Sequence, residues 1–263
     1  MTTLGLIFPP DLPPERLRAV AVAADDAGVE QLWLWEDCFK ESGVAPAAAV
    51  LAWTERLTVG IGLLPVPLRN VALTAMELAT LERLFPGRVV PGVGHGVLDW
   101  MGQVGARAES PMTLLREYTT ALQALLRGER VTTSGRYVHL DGVALDWPPS
   151  PAPPLLVGAM GDRTSALAGE LGEGVIFSEM SADRVREALQ HVRAGRQKAG
   201  RDGTGDVVVF LAVDALDARA VANQVQEMES AGATHVALHV LDGAIPLEDA
   251  ARFVAQELRT LVG

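Results

Sequence analysis

Two hydrophobic periodicities alternate along the chain. Short runs that are apolar at nearly every position are followed by longer stretches in which apolar residues recur at three- and four-residue steps. The short runs predict strands at 4–8, 31–35, 57–64, 88–93, 154–158, 174–178, 207–213 and 235–239. The longer ones predict helices at 13–28, 45–53, 71–85, 112–127, 164–171, 182–199, 218–231 and 247–261. In the last helix Ala250, Phe253, Val254, Leu258 and Leu261 form the apolar stripe, with Glu248, Arg252, Glu257 and Arg259 mostly off it. The run VVVFLAV at 207–213 has no polar face at all. Such a strand is covered on both sides, as in a parallel sheet. Strict alternation of eight such strands with eight helices predicts an α/β fold, a TIM (β/α)8 barrel. An open doubly wound sheet is the competing architecture, but no glycine fingerprint follows the first strand.

Three segments interrupt the alternation. Residues 94–111 read as a long loop and 200–205 as a polar turn. Residues 128–153 read as an inserted hairpin after the fourth helix, closed by a proline-rich connector. No linker is evident, so 1–263 reads as a single domain.

Composition narrows the function classes. Lys+Arg 22 minus Asp+Glu 33 leaves a net charge of −11, which suits neither a nucleic-acid binder nor an anionic membrane surface. The apolar stretch 57–68 is too short to span a bilayer and contains Gly and Pro. The first residues have no basic region, so no signal peptide is expected, and one cysteine, Cys38, excludes a disulfide framework. A cytoplasmic protein is the expectation. No metal site is expected. His235 and His239 lie on a strand roughly 13 Å apart, at ~3.3 Å per residue.

In a barrel the chemistry sits where the strands end. After the second strand come Glu36 and Asp37, placed to orient a ligand or move protons, or simply to cap a turn. After the third come Gly60 and Gly62, then Leu63, two prolines and Arg69. This predicts a bulge or a kink, with Arg69 either binding an anion or pairing with a carboxylate. After the fourth, Gly92, Gly94 and Gly96 let backbone amides approach a ligand, and His95 stands between two of them as an acid, base or hydrogen-bond partner. Asp99, Trp100 and Gln103 follow as a pocket wall. After the fifth, Gly158, Ala159, Met160 and Gly161 turn into a helix carrying Arg163, an anion site unless Asp162 or Thr164 only caps the helix.

Taken together, GVEQLWLWED, RLTVGIGLLPVPLRNVALTAMELATLERLFPGRVVPGVGHG and PPLLVGAMGDRTSALAGELGEGVIF resemble the bacterial luciferase-like monooxygenase superfamily, in particular its branch using the deazaflavin coenzyme F420. The resemblance runs from the first strand to the last helix. It implies a TIM barrel with a flavin or deazaflavin at the mouth. It places a non-prolyl cis peptide at Gly62–Leu63 supporting the ring, and makes Gly94, His95 and Gly96 a cofactor-contacting loop. It also makes Gly158 to Gly161 the phosphate turn and Glu36 an acid that hydrogen-bonds the cofactor. Two positions depart from the pattern: Asp37 stands where many members have His, and Val97 where the branch's sugar-phosphate dehydrogenases have Glu.

The expected function is hydride transfer between F420 and a small organic substrate, with Asp37 and His95 as acid/base candidates and Glu36 and Trp100 lining the site. The alternative is an FMN-dependent two-component monooxygenase. A reading of another class is a non-catalytic flavin-binding protein. A Schiff-base aldolase fits poorly, since the only lysines, Lys40 and Lys198, do not end a strand. A homodimer is expected by analogy with the family.

Overall fold

A computed structural model describes residues 1–262. Eight parallel strands close into a barrel: β1 (Thr3–Phe8), β2 (Gln31–Leu34), β3 (Thr58–Pro65), β4 (Val89–Gly94), β7 (Leu156–Gly158), β8 (Gly174–Ser178), β9 (Asp206–Val213) and β10 (His235–Val240). They pair in that order, and β10 pairs with β1. The remaining strands, β5 (Val131–Ser134) and β6 (His139–Val143), form the inserted antiparallel hairpin. The TIM barrel expected from the strand pattern is the observed fold, and the open sheet is not.

The apolar strands serve two cores. Alternate residues Ile7, Trp33, Leu156, Ile176, Val208, Phe210 and Ala237 fill the barrel interior. Their neighbours, among them Leu6, Leu32, Val157, Val175, Val209 and Val236, face the surrounding helices. Trp33 is the largest interior side chain, and its ring meets Phe210 edge-on at 5.3 Å. It takes the space beside Gly60, where an added Cβ would lie 2.3 Å from the indole. Gly60 is therefore a packing requirement rather than a kink.

The helices are α1 (Leu17–Ala27), α2 (Val44–Trp53), α3 (Val71–Leu84), α4 (Leu98–Gln103), α5 (Pro111–Leu126), α6 (Asp162–Leu171), α7 (Ala182–Lys198), α8 (Ala218–Ala231), α9 (Leu247–Arg252) and α10 (Arg259–Val262). Two expectations need correction. The segment 94–111 is not all loop: α4 forms in it around the buried Met101, too short for a periodicity to be read. The last helix is not uniform: a π-type turn, Phe253–Leu258, separates α9 from α10 and keeps Phe253, Val254 and Leu258 all buried.

The face opposite the strand ends is tied by charge. Asp25 accepts the backbone N–H groups of Glu55, Arg56 and Leu57 at 2.9, 3.0 and 2.8 Å. Burial pushes its carboxyl up, but these donors together hold it below the usual carboxylate range. The hairpin is fixed to α5 in the same way: Glu117 accepts the N–H groups of Arg136, Tyr137 and Val138 at 2.9, 2.8 and 3.1 Å.

Candidate active site

At the C-terminal mouth a cleft of about 690 Å³ gathers the ends of β2, β3, β4, β7, β8 and β9. Its floor is made by the third strand. The β3–β4 register shifts between Ile61 and Leu64, and the Gly62–Leu63 peptide is cis, as is Cys38–Phe39. Leu63 then lies across the inner faces of the neighbouring strands. An added Cβ on Gly94 would come 2.6 Å from Leu63 Cδ2, and one on Gly158 only 2.2 Å. Gly92 similarly makes room for Ile176 Cδ1, at 2.5 Å. Gly92 and Gly94 thus accommodate side chains of the barrel itself, and of the three alternating glycines Gly96 alone lines the cleft. Gly94 does not line the cleft, whereas His95, Gly96 and Trp100 do.

The adjacent carboxylates separate in role. Glu36 is buried and engaged on both oxygens: Arg69 donates through Nε (3.1 Å) and Nη2 (2.8 Å), and the Gly43 amide donates at 2.6 Å. Arg69 also donates to Glu77 at 2.8 Å. Arg69 therefore pairs with carboxylates rather than waiting for an anion. Glu36 lines the cleft, but as the anchor of this network. The Asp37 carboxylate accepts no hydrogen bond from the described residues, although the backbone carbonyl accepts the Lys40 amide at 2.8 Å, and the residue lines the same cleft. Burial pushes its carboxyl up, against the pull of Lys40, so it holds a proton more readily than an ordinary aspartate. Cys38 beside it is pushed up by burial and by both acids, which makes it a poor nucleophile.

His95 is largely enclosed. Its Nε2 lies 3.4 Å from Thr164 Oγ1, while Nδ1 is buried without a partner among the described residues. Burial pushes the imidazole below its ordinary value, so it is neutral at pH 7. Across the cleft, Gly158, Ala159, Met160 and Gly161 lead into α6, whose N-cap Gly161 supplies no side-chain cap to the first-turn amides. Arg163 lines the cleft beside them. Asp162, the acid of this turn, is drawn off by Arg184 at 2.5 Å. An anion is favoured here by free N–H groups, the helix dipole and one guanidinium.

Strand alternation also brings in residues that motif reading passed over. Trp35 stands one layer above Trp33, against Phe210 (ring centroids 5.6 Å) and His239 (4.8 Å), and its Nε1 is buried without a partner among the described residues. Ser178, Ile176, Thr164 and Met112 complete the wall. The available signal was parity: Trp33 and Trp35 share a face two residues apart. The arrangement suits a planar, phosphorylated ligand. It has an apolar floor at Leu63 and Ile176, aromatic walls at Trp35, Trp100 and Phe210, unpaired nitrogens on Trp35 and His95, and an uncapped helix start for the phosphate.

Fold and site together define a (β/α)8 barrel with a cleft of about 690 Å³ and a helix start without a side-chain cap at its C-terminal mouth. The chain belongs to the luciferase-like monooxygenase family, whose sequence model matches residues 4–257. It is 29% identical over 201 residues to a 5,10-methylenetetrahydromethanopterin reductase of Methanolobus tindarius, covering 76% of this chain and 61% of that protein. To an F420-dependent glucose-6-phosphate dehydrogenase of Kineococcus radiotolerans it is 32% identical over 235 residues, covering 80% and 67%. The chain spans 61% and 59% of the length of two methanopterin reductases it matches. Its fold is that of the F420-dependent tetrahydromethanopterin reductase of Methanopyrus kandleri, with TM-score 0.87, 20% identity, and coverage of 100% of this chain and 99% of that one. The fold is also shared, at somewhat lower similarity, with an FMN-bound Baeyer-Villiger monooxygenase of Pseudomonas putida, with TM-score 0.81, 15% identity and coverage of 100% and 99%. No described helix is long and apolar enough to cross a membrane.

Proposed function

We propose that the chain is an oxidoreductase that moves a hydride between the deazaflavin coenzyme F420 and a small organic substrate in the mouth cleft. The observation that carries this reading is the convergence, in one cleft, of the Leu63 floor, the uncapped start of α6 with Arg163, and two proton-handling groups. The F420-dependent relatives support the choice of coenzyme. When bound, the coenzyme supplies a hydride donor or acceptor. Leu63 and Gly62 support its ring, and Trp35 and Phe210 exclude water from one side. The amides after Gly161, with Arg163, hold its phosphate. Asp37 holds a proton at the wall, and His95, being neutral, offers a hydrogen bond.

Arg163 is the one Arg or Lys among the described lining residues. With it committed to the coenzyme's phosphate, no other described Arg or Lys lines this cleft to meet a phosphate on the substrate. Val97 stands where a sugar-phosphate dehydrogenase has its glutamate. Both features favour an unphosphorylated substrate. The acidic, single-cysteine composition favours a cytoplasmic protein without nucleic-acid partners. The exposed apolar residues Leu73 and Met76 on α3 favour a homodimer.

The test is a fluorescence-quenching titration of the purified apo-protein with F420 and, separately, with FMN. Micromolar binding of F420, with FMN much weaker, supports the reading. The reverse preference moves the assignment to an FMN monooxygenase, and binding of neither removes the cofactor assignment.

A further inference from the structure

His239 was notable in the sequence only for its spacing from His235. In the structure the two part company: His235 sits with Thr234 at the far end of β10, while His239 stands at the mouth. Ala237 lies inside the barrel, so strand alternation turns His239 inward one layer higher. There its ring meets Trp35 edge-on at 4.8 Å, at an angle of 65°. Its Nδ1 lies 2.8 Å from Glu179 Oε1, and the side chain is 15% exposed. Glu179 is the one described non-glycine residue in the left-handed region, at φ 53°, just past the end of β8. Its own amide donates to Phe210 O at 2.9 Å, which fixes that backbone. A carboxylate on Nδ1 sets the tautomer and leaves Nε2 as the working nitrogen.

Resting on the hydride-transfer reading above, we propose that His239, positioned by Glu179, is the group that gives the substrate its proton, and that the reducible group is therefore a carbonyl or an imine. In reduction the carbon takes the hydride from the reduced coenzyme. The C=O or C=N π pair moves to the heteroatom, and the Nε2–H bond of the imidazolium breaks to protonate it. The product is an alcohol or amine, and neutral His239 regains a proton from solvent. Oxidation runs the same transfers backwards. His239 serves this better than the two groups on the opposite side. His95 is kept neutral by burial. Asp37 has no partner to orient it, and stands beside the wall where the coenzyme is seated. His239 opens on a neighbouring hollow of about 430 Å³, whose lining includes Pro9, Asp11, Leu12 and Ile245, with room for a substrate to enter.

The charged groups around His239 are Glu179 after β8, Asp11 and Arg16 after β1, and Asp242 after its own strand, with Asp37 lining the adjoining cleft. The test compares wild type, His239→Phe, Glu179→Gln and Asp37→Asn, loaded with reduced F420 and offered a panel of small ketones, aldehydes and cyclic imines. The expected result is turnover by wild type and a loss of about 100-fold or more in kcat for His239→Phe. The F420 Kd of that variant should stay within twofold of wild type. The fall of wild-type rate with rising pH should be flattened in His239→Phe and displaced in Glu179→Gln. Unchanged kcat in His239→Phe, or no reduction of any carbonyl or imine by wild type, overturns the inference. A separate readout needs no coenzyme. In protein labelled with 15N-histidine, neutral His239 should show the Nδ1–H tautomer, a preference lost in Glu179→Gln. The opposite tautomer overturns the inference even where F420 binds, whereas failure of F420 to bind overturns only the parent reading.

Discussion

Asp37 and Glu36 show how far one residue's neighbours decide its role. They are adjacent in sequence, yet one carboxylate is locked by Arg69 and the Gly43 amide and the other is free. For Asp37 the raised carboxyl has a definite sign in stability. A raised folded-state value contributes stability below the unfolded-state value, and that stability is lost as pH rises through the folded one. Once the pH has risen past that folded-state value, the ionised, partly buried group is a burden. Asp37→Asn should therefore raise Tm at pH 8 relative to wild type, with the gain vanishing at pH 3, as scanning calorimetry would show, while turnover falls. A lower Tm at pH 8 would mean that the carboxylate has a partner in solution.

At the scale of elements, most of the barrel was legible because its strands are buried on both faces and read as uninterrupted apolar runs. The hairpin was legible from its turn residues. What holds the hairpin was not, because Glu117 finds its three amides 19 to 21 residues further along. The Glu36–Arg69 network, 33 residues apart, was hidden for the same reason. Helix α4 was missed since six residues carry too little periodicity. Glycine spacing announced close approach in β4 but not by what. Glu117→Ala should loosen the hairpin by roughly 1.5 kcal/mol, the low end for hydrogen bonds to a charged group at a partly solvated site. Amide exchange across residues 131–143 would register it, with α5 unchanged. The three amides also hold the Glu117 carboxyl below its ordinary range, although burial opposes them. The anchoring is then present above the unfolded-state value and lost as pH falls through the folded one.

For the whole molecule, the barrel leaves α3 with Leu73 at 47% and Met76 at 57% exposure. Copies of a chain carrying −11 repel one another, and the homodimer proposed above would need an apolar patch such as this face to offset that repulsion. Light scattering at micromolar concentration should return twice the chain mass, and Met76→Glu should return it to one. A wild-type monomer would leave this face without that partner.

Leu63 ties three strands together, and this has a consequence for how the sequence can change. Gly158→Ala alone should cost about 1–3 kcal/mol, as overpacking does. With Leu63→Ala already present the same change should cost far less, a coupling of roughly 0.5–3 kcal/mol in a double-mutant cycle. Substitutions tried one position at a time would score Gly94 and Gly158 as intolerant. The order of steps matters: any route to a broader cleft floor starts at Leu63, and only afterwards do the two glycines become free to vary.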